Sequence, residues 1–418
     1  MKVLWITNIL FPEAEEKLSG KKDLRGSGGW MLASANMLTK QADMQLFVAT
    51  VSSMVSKLEV IKGQRIIYCV LPFGKKTIKY KQEYEPYWRL ISEQIQPDIV
   101  HIHGTELVHG LAYIRACGNS RVVISVQGLK SGIAPYYCAG LSMREIYGNL
   151  TFHDVIRGSI YGEQRAFRKS GELEKEMLCS VKHIIGRTSW DKAHVCAINP
   201  RANYYLCNET LRSEFYDGST WSYDKCVPYS IFLSQAGYPL KGLHQVLKAM
   251  PLILRCYPNT TIRIAGVNIT RNSGLGGILH FTGYGKIVKR LIKKYNLESR
   301  VFFLGPLNAE QMKTEYLRCN VFVCPSSIEN SPNSLGEALL LGVPCCASYV
   351  GGIPDYMKSN EQYMYRFEEI SMLARCVCKL FEIKDSHHNV SEDVLKKFDP
   401  ETNNAQLISI YSRLLSKE

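Results

Sequence analysis

Residues 325–354, PSSIENSPNSLGEALLLGVPCCASYVGGIP, hold the reading from which the fold follows. Ser331, Pro332, Asn333 and Ser334 are helix-starting residues set just ahead of an apolar helical run. The chain therefore turns there into a helix whose first N–H groups lack carbonyl partners and whose dipole end is positive, a place where a phosphate can rest. Glu329 lies in the loop before that start and Glu337 about one turn inside it, so two carboxylates able to accept bonds from hydroxyl groups flank the same spot. Short apolar runs, Val321–Cys324 before and Pro344–Ala347 after, complete a strand, helix and strand, the unit of a parallel sheet.

Outward from that stretch the same alternation continues in both directions. In the first half the pattern predicts strands at Lys2–Thr7, Met44–Val51, Arg65–Val70, Asp98–His101, Arg121–Val126 and His183–Gly186, with helices at Gly29–Lys40, Tyr87–Ile95 and Trp190–Ala197. In the second half it predicts strands at Ser230–Ser234, Thr261–Ala265 and Val301–Leu304 as well, with helices at Gly242–Tyr257, Gly285–Tyr295 and Ala309–Cys319. Leu129–Leu150, rich in glycine and tyrosine, reads as a long functional loop. At 418 residues the chain suits two domains of roughly 200 residues each. The expected division is a first Rossmann-like domain over 1–207, a polar linker over 208–228, a second Rossmann-like domain over 229–399, and a closing helix over 400–418 that returns to the first. Two doubly wound α/β domains of this kind bind ligands at the carboxyl ends of their strands, which predicts a central cleft.

Composition narrows the chemistry. A hydrophobic fraction of 46% and a charged fraction of 21% are those of a folded globular chain. No apolar run approaches the ~20 residues that span a bilayer, so membrane association is expected to be peripheral. The opening MKVLWITNILFPEAEEK lacks a small-residue cleavage site and reads as a first buried strand. Fourteen cysteines are scattered through strands and helices without a CxxC pair, which predicts reduced thiols, a cytoplasmic setting and no zinc site. The net charge of +13 allows an anionic membrane surface, an acidic glycan or nucleic acid as partner. Its basic residues gather at Lys75, Lys76, Lys79 and Lys81, interleaved with Ile78 and Tyr80, where a lipid-facing role is expected. They gather again at Lys286, Lys289, Arg290, Lys293 and Lys294, which read as a solvated helix face. No nucleic-acid reader motif is visible, so no specific nucleic acid is expected.

Beyond these physical readings, Pro325–Gly352 resembles the P-S-x-x-E-x7-E-A and G-x-P-x5-V-G-G pattern of glycosyltransferase family 4, the retaining sugar-nucleotide enzymes of GT-B fold. The resemblance extends over most of the chain. Lys241-Gly242 after the strand at Ser230–Ser234, Gly28-Gly29 after the first strand, and Asp98-Ile99-Val100-His101-Ile102-His103-Gly104 all fit that family's order of motifs. It implies a metal-independent hexosyl transfer from a nucleotide-diphosphate sugar to a glycan or lipid-linked acceptor, as in surface polysaccharide synthesis at the inner membrane face. Glu329 would then contact the transferred sugar and Glu337 the ribose, while the amides of Asn333, Ser334 and Leu335 would face the phosphates. Lys241 would neutralise the departing diphosphate, and Gly28 and Gly29 would let backbone approach it.

Two departures stand out. An arginine common a few residues before the lysine is missing from SQAGYPLKG, where Ser234 and Gln235 stand, and Arg187 is a candidate replacement. After the strand Arg121–Val126 the family's His-Gly is Gln127-Gly128, so Gln127 can hydrogen-bond a hydroxyl or turn its carbonyl to a developing positive centre but cannot act as a base. His103, beyond His101 on its strand, is expected to line the cleft mouth. Alternatives are a sugar-nucleotide epimerase of the same fold and a non-catalytic protein that binds sugar nucleotides or nucleic acid. An Asp-x-Asp pair for a divalent cation is missing from the sequence, and no metal ligands are expected.

Overall fold

The computed structural model describes residues 1–20, 29–73, 80–272, 279–384 and 390–416, with the side chains of Gly29 and Trp30 left aside. The described chain falls into two compact units, one of residues 1–132, 167–212 and 396–418, the other of 133–166 and 213–395.

The first unit is built on an eight-stranded sheet. Its strands are β1 (Lys2–Thr7), β2 (Gln45–Val51), β3 (Glu59–Lys62), β4 (Ile66–Leu71), β5 (Ile99–His103), β6 (Val122–Ser125), β7 (His183–Gly186) and β8 (Asn203–Leu206). They lie in the order β3-β4-β2-β1-β5-β6-β7-β8, all parallel except β3, which runs antiparallel to β4. Because side chains alternate along a strand, β1 sends Leu4 and Ile6 to one face and Val3 and Trp5 to the other. The first face packs on Trp88, Ile91 and Ile95 of the helix Glu85–Ile95. The second packs on Leu407, Ile410, Tyr411 and Leu414 of the helix Pro400–Ser416, so the closing helix completes this unit's core. Tyr411 anchors it: its hydroxyl receives the Trp5 indole N–H at 2.9 Å and meets His101 Nδ1 at 2.6 Å.

The second unit carries a six-stranded, wholly parallel sheet of β9 (Ser230–Leu233), β10 (Thr261–Ile264), β11 (Val301–Phe303), β12 (Val321–Cys324), β13 (Cys345–Ser348) and β14 (Met364–Tyr365), ordered β11-β10-β9-β12-β13-β14. The order doubles back at β9, so the connection leaving β9 runs to β10 on one side while that leaving β12 runs to β13 on the other, and a crevice opens at the carboxyl ends of the neighbouring strands β9 and β12. Most of the stretch expected as linker, residues 213–228, is incorporated here: Trp221 is fully buried and donates its indole N–H to Cys319 O at 2.7 Å.

Three expectations need correction. Residues 133–166, assigned from sequence to the first domain, group with the second, because their polar contacts lie there. His244 of the helix Leu243–Cys256 meets Ala139 O at 2.9 Å, Ser327 Oγ donates to Tyr136 O at 3.0 Å, and Gly283 N–H donates to Asp154 Oδ1 at 3.1 Å. Leu129–Leu150 is not one loop. It holds the helix Lys130–Ile133, a 3-10 turn at Ala134–Tyr136 and the helix Met143–Tyr147, the last started by a reciprocal cap between Ser142 and Glu145. A 20-residue helix, Ile160–Cys179, follows where none was expected. All fourteen cysteines are free thiols.

Candidate active site

At the switch point of the second sheet, β9 leads into a 3-10 turn, Pro239–Lys241, and β12 leads into the loop that carries Glu329. Gly242 lets these two connections touch. Its backbone is left-handed at φ 69°, and a Cβ there would fall 1.7 Å from the Pro325 carbonyl oxygen, so only glycine fits. The approach sets Lys241 Nζ 2.6 Å from Glu329 Oε1, while Ser326 Oγ donates to the same oxygen at 2.8 Å. Burial pushes the lysine amine down, but the adjacent Glu329 charge outweighs it and holds the amine above its ordinary range. The pair remains reachable, with side chains 21% and 15% exposed.

The backbone of Glu329 is fixed by the Gly351-Gly352 turn. Gly351 is left-handed at φ 54°, its missing Cβ would fall 1.9 Å from Glu329 O, and Gly352 N–H donates to that oxygen at 2.9 Å. Beyond Glu329 the helix Asn333–Leu340 begins at Pro332, which offers no side-chain cap. The amides of Leu335 and Gly336 turn back to Pro332 O at 3.0 and 3.1 Å. Leu335 N–H, expected to face a phosphate, is thus engaged within the helix's first turn, and Asn333 and Ser334 carry the leading amides. Glu337 is buried one turn along, with the Tyr316 hydroxyl 3.4 Å from its Oε2 and 3.0 Å from Ser334 O.

Lys241, Glu329, Asn333, Ser334 and Glu337 are therefore brought together within the second unit. Ser326 and Tyr316 orient the two glutamates: Ser326 is the serine of the P-S-x-x-E pattern, though nothing in that pattern gave it this part, while Tyr316 had no signal in the sequence, being a helix residue of ordinary apolar spacing. Tyr238, whose ring lies 5.8 Å from Lys241 Nζ, is a further neighbour.

The remaining expected residues belong to the first unit. Gly29 opens the helix Gly29–Leu38 after β1, while Gly28 lies outside the described residues, as do Lys75, Lys76 and Lys79. Gln127 follows β6 at the carboxyl end of that sheet. Beside it Glu106, unmarked in the sequence, accepts from Gly128 N–H at 2.8 Å and from Asn8 Nδ2 at 3.1 Å, and burial pushes its carboxyl up. His103 is not at an open mouth. It is 4% exposed, with its ring 3.8 Å from His101 and 4.3 Å from Trp5, and burial keeps both imidazoles neutral by pushing their protonation well below the usual range. The two histidines line a partly open pocket of about 40 Å³ together with Arg187 and Glu209. Arg187 is not available as the missing phosphate arginine. It is 5% exposed, pairs with Glu209 at 2.5 Å and donates to Val126 O at 3.1 Å.

Residues 227–397 match the family model described as Glycosyl transferases group 1, a span that contains every residue of the Lys241–Glu337 cluster. The chain is 27% identical over 124 residues to Protein CapJ of Staphylococcus aureus, a match covering 29% of this chain and 31% of that protein's length. The fold is similar to that of sucrose-phosphate synthase from Thermosynechococcus elongatus, with TM-score 0.71 over 100% of both chains at 15% identity. It is also similar to that of Anabaena Alr3699/HepE in complex with UDP and glucose, with TM-score 0.64 over 99% of this chain and 100% of that one at 16% identity. The architecture is the two-domain parallel α/β fold of GT-B glycosyltransferase structures.

Proposed function

We propose that the protein is a retaining glycosyltransferase of family 4 that moves a sugar from a nucleotide-diphosphate sugar to a glycan or lipid-linked acceptor, in surface polysaccharide synthesis on the cytoplasmic face of a membrane. The observation that carries this reading is the Lys241–Glu329 pair, 2.6 Å apart, with the uncapped helix start at Asn333 in the same loop. Diphosphate oxygens would take the place of Glu329 as partner to the Lys241 ammonium and accept from the leading amides of the helix, freeing the Glu329 carboxylate for sugar hydroxyls. Glu337 would accept from the ribose. This arrangement stabilises charge as it develops on the leaving diphosphate, which lowers the barrier without a covalent intermediate. The reading gives neutralisation of the diphosphate to Lys241 and the amides rather than to a metal ion, with Gly28 and Gly29 as further backbone approaches.

In the transfer the bond from the anomeric carbon to the phosphate oxygen breaks, and the acceptor oxygen bonds the same face. The acceptor proton passes to the departing phosphate oxygen, and Gln127 hydrogen-bonds the acceptor hydroxyl. The group 1 family match and the fold shared with a protein crystallised with UDP and glucose support this donor class.

Incubation with a panel of nucleotide sugars and glycan or lipid-linked acceptors tests the reading. NMR of the product should show the anomeric configuration of the donor. An inverted product would refute retention, and epimerised donor formed without acceptor would refute transfer.

A further inference from the structure

Several large apolar side chains left outside the core lie in one short segment. Tyr147, Leu150, Phe152, Val155 and Ile156 are all exposed, Val155 at 76% and Ile156 at 62%. Phe152, Val155 and Ile156 stand at i, i+3 and i+4 on the helix Phe152–Arg157, so they form an apolar ridge turned to water. Scattered apolar residues are ordinary on a protein surface, but a ridge of this kind marks an interaction face.

The surroundings of the ridge are basic. Gly283 N–H donates to Asp154 Oδ1 at 3.1 Å, which pins the short helix to the start of the helix Gly283–Lys294. Lys286 Nζ donates to Leu150 O at 3.3 Å and Arg290 to Asn149 Oδ1 at 2.6 Å, so the face of the longer helix bearing these residues borders the ridge. That helix carries Lys286, Lys289, Arg290, Lys293 and Lys294 and no acidic residue. The nearby acids Glu145 and Asp154 are engaged as helix caps. The basic helix face is therefore one side of a joint apolar and cationic surface, all of it within the second unit.

We propose that this surface docks on an anionic lipid bilayer, with the ridge at residues 150–156 entering the headgroup boundary and the helix at residues 283–294 meeting lipid phosphates. Apolar residues edged by lysine and arginine are what such a boundary selects, since the apolar part is buried while the cations stay at the charged layer. No helix among the described residues is long and apolar enough to cross a membrane, and attachment through this surface would be reversible. The inference deepens the membrane part of the function proposed above, but it is read without donor or acceptor and so stands or falls separately from the transfer reaction.

Co-sedimentation of the full chain with vesicles tests it, using phosphatidylcholine alone and phosphatidylcholine with about a third phosphatidylglycerol, at physiological and at high salt. The chain should sediment with the anionic vesicles only, and high salt should release it. Lys289→Ala/Lys293→Ala should weaken partition roughly 25-fold, about fivefold for each cation removed. Phe152→Ser/Val155→Ser/Ile156→Ser should abolish it with thermal midpoint unchanged, since all three side chains are exposed. The proposal is overturned by a wild-type chain that ignores anionic vesicles or by a triple variant that binds them as wild type does. It is overturned equally by a wild-type dimer that the triple variant dissociates, which would make a second copy the occupant of the face.

Discussion

Replacing Gly242 by alanine should disorganise the Lys241–Glu329 pair and weaken the second unit at once. The added Cβ would lie 1.7 Å from the Pro325 carbonyl oxygen, whereas real Cβ contacts stay beyond 3.0 Å, so the carbonyl must retreat by about 1.3 Å (3.0 − 1.7). Pro325 precedes Ser326, whose hydroxyl holds Glu329, and Lys241 adjoins Gly242 itself, so both halves of the pair shift. Left-handed backbone at a residue with a side chain costs about 1–2 kcal/mol, and forcing an extra carbon into packed backbone about 1–3, for a total of roughly 2–5 kcal/mol. Urea unfolding at neutral pH measures this. Gly237→Ala in the same connection is the control, because Gly237 is exposed with nothing within 4 Å of its added Cβ, and it should change stability by less than about 0.5 kcal/mol. If Gly242→Ala proved as stable as Gly237→Ala and kept its response to nucleoside diphosphates, the close approach of the two connections would not be what builds the site.

Glu329→Gln keeps the volume of the side chain but removes the negative charge beside Lys241, and turnover should fall on the order of a hundredfold to a thousandfold. The pair also sets an alkaline limit. The folded amine lies above its ordinary 10.5, so its stabilisation is complete below that value and is lost as pH rises through the raised one, a loss that Glu329→Gln should lack in urea titrations. His101, His109 and His244 are pushed by burial to about 3, about 4 and about 4, below their ordinary 6.5. The unfolded chain therefore binds protons there that the folded one refuses. Stability should be complete above 6.5 and fall below it by about 1.4 kcal/mol per pH unit for each histidine, and a flat profile from neutral pH to about 5 would contradict their neutrality. Tyr411→Phe strands the Trp5 indole N–H and His101 Nδ1, both buried, and should cost about 1–3 kcal/mol in urea unfolding, with native-like stability telling against the Tyr411 anchor.

Much of this architecture was legible because buried parallel strands are short apolar runs and the helices between them have clear apolar faces. The strands that escaped notice are the edges. Glu59–Lys62 carries two charges, Asn203–Leu206 is half-exposed, and Met364–Tyr365 is two residues long, so each owes its conformation to the neighbour it pairs with. The placement of residues 133–166 was illegible for a different reason. Their own caps are readable, as Ser142 with Glu145 and Thr151 with Asp154 show, but their unit is decided by His244 and Gly283, more than 100 residues away. In the site the motif named both Lys241 and Glu329, while their contact across 88 residues, and the parts of Ser326 and Tyr316 in it, exist only in the folded chain. His103 was misjudged because strand alternation gives the direction of a side chain and says nothing of what covers it. Here the Trp5 and His101 rings lie against it.

Thermal unfolding with a panel of nucleoside diphosphates, on the wild-type chain and on Lys241→Ala, tests the central claim most directly. At about one hundred times its dissociation constant the matching nucleotide should stabilise the wild type by about 2.7 kcal/mol, and the gain should largely vanish in Lys241→Ala. Equal stabilisation of both chains, or none of the wild type by any nucleotide, would contradict a diphosphate site built on Lys241, Glu329 and the helix start at Asn333.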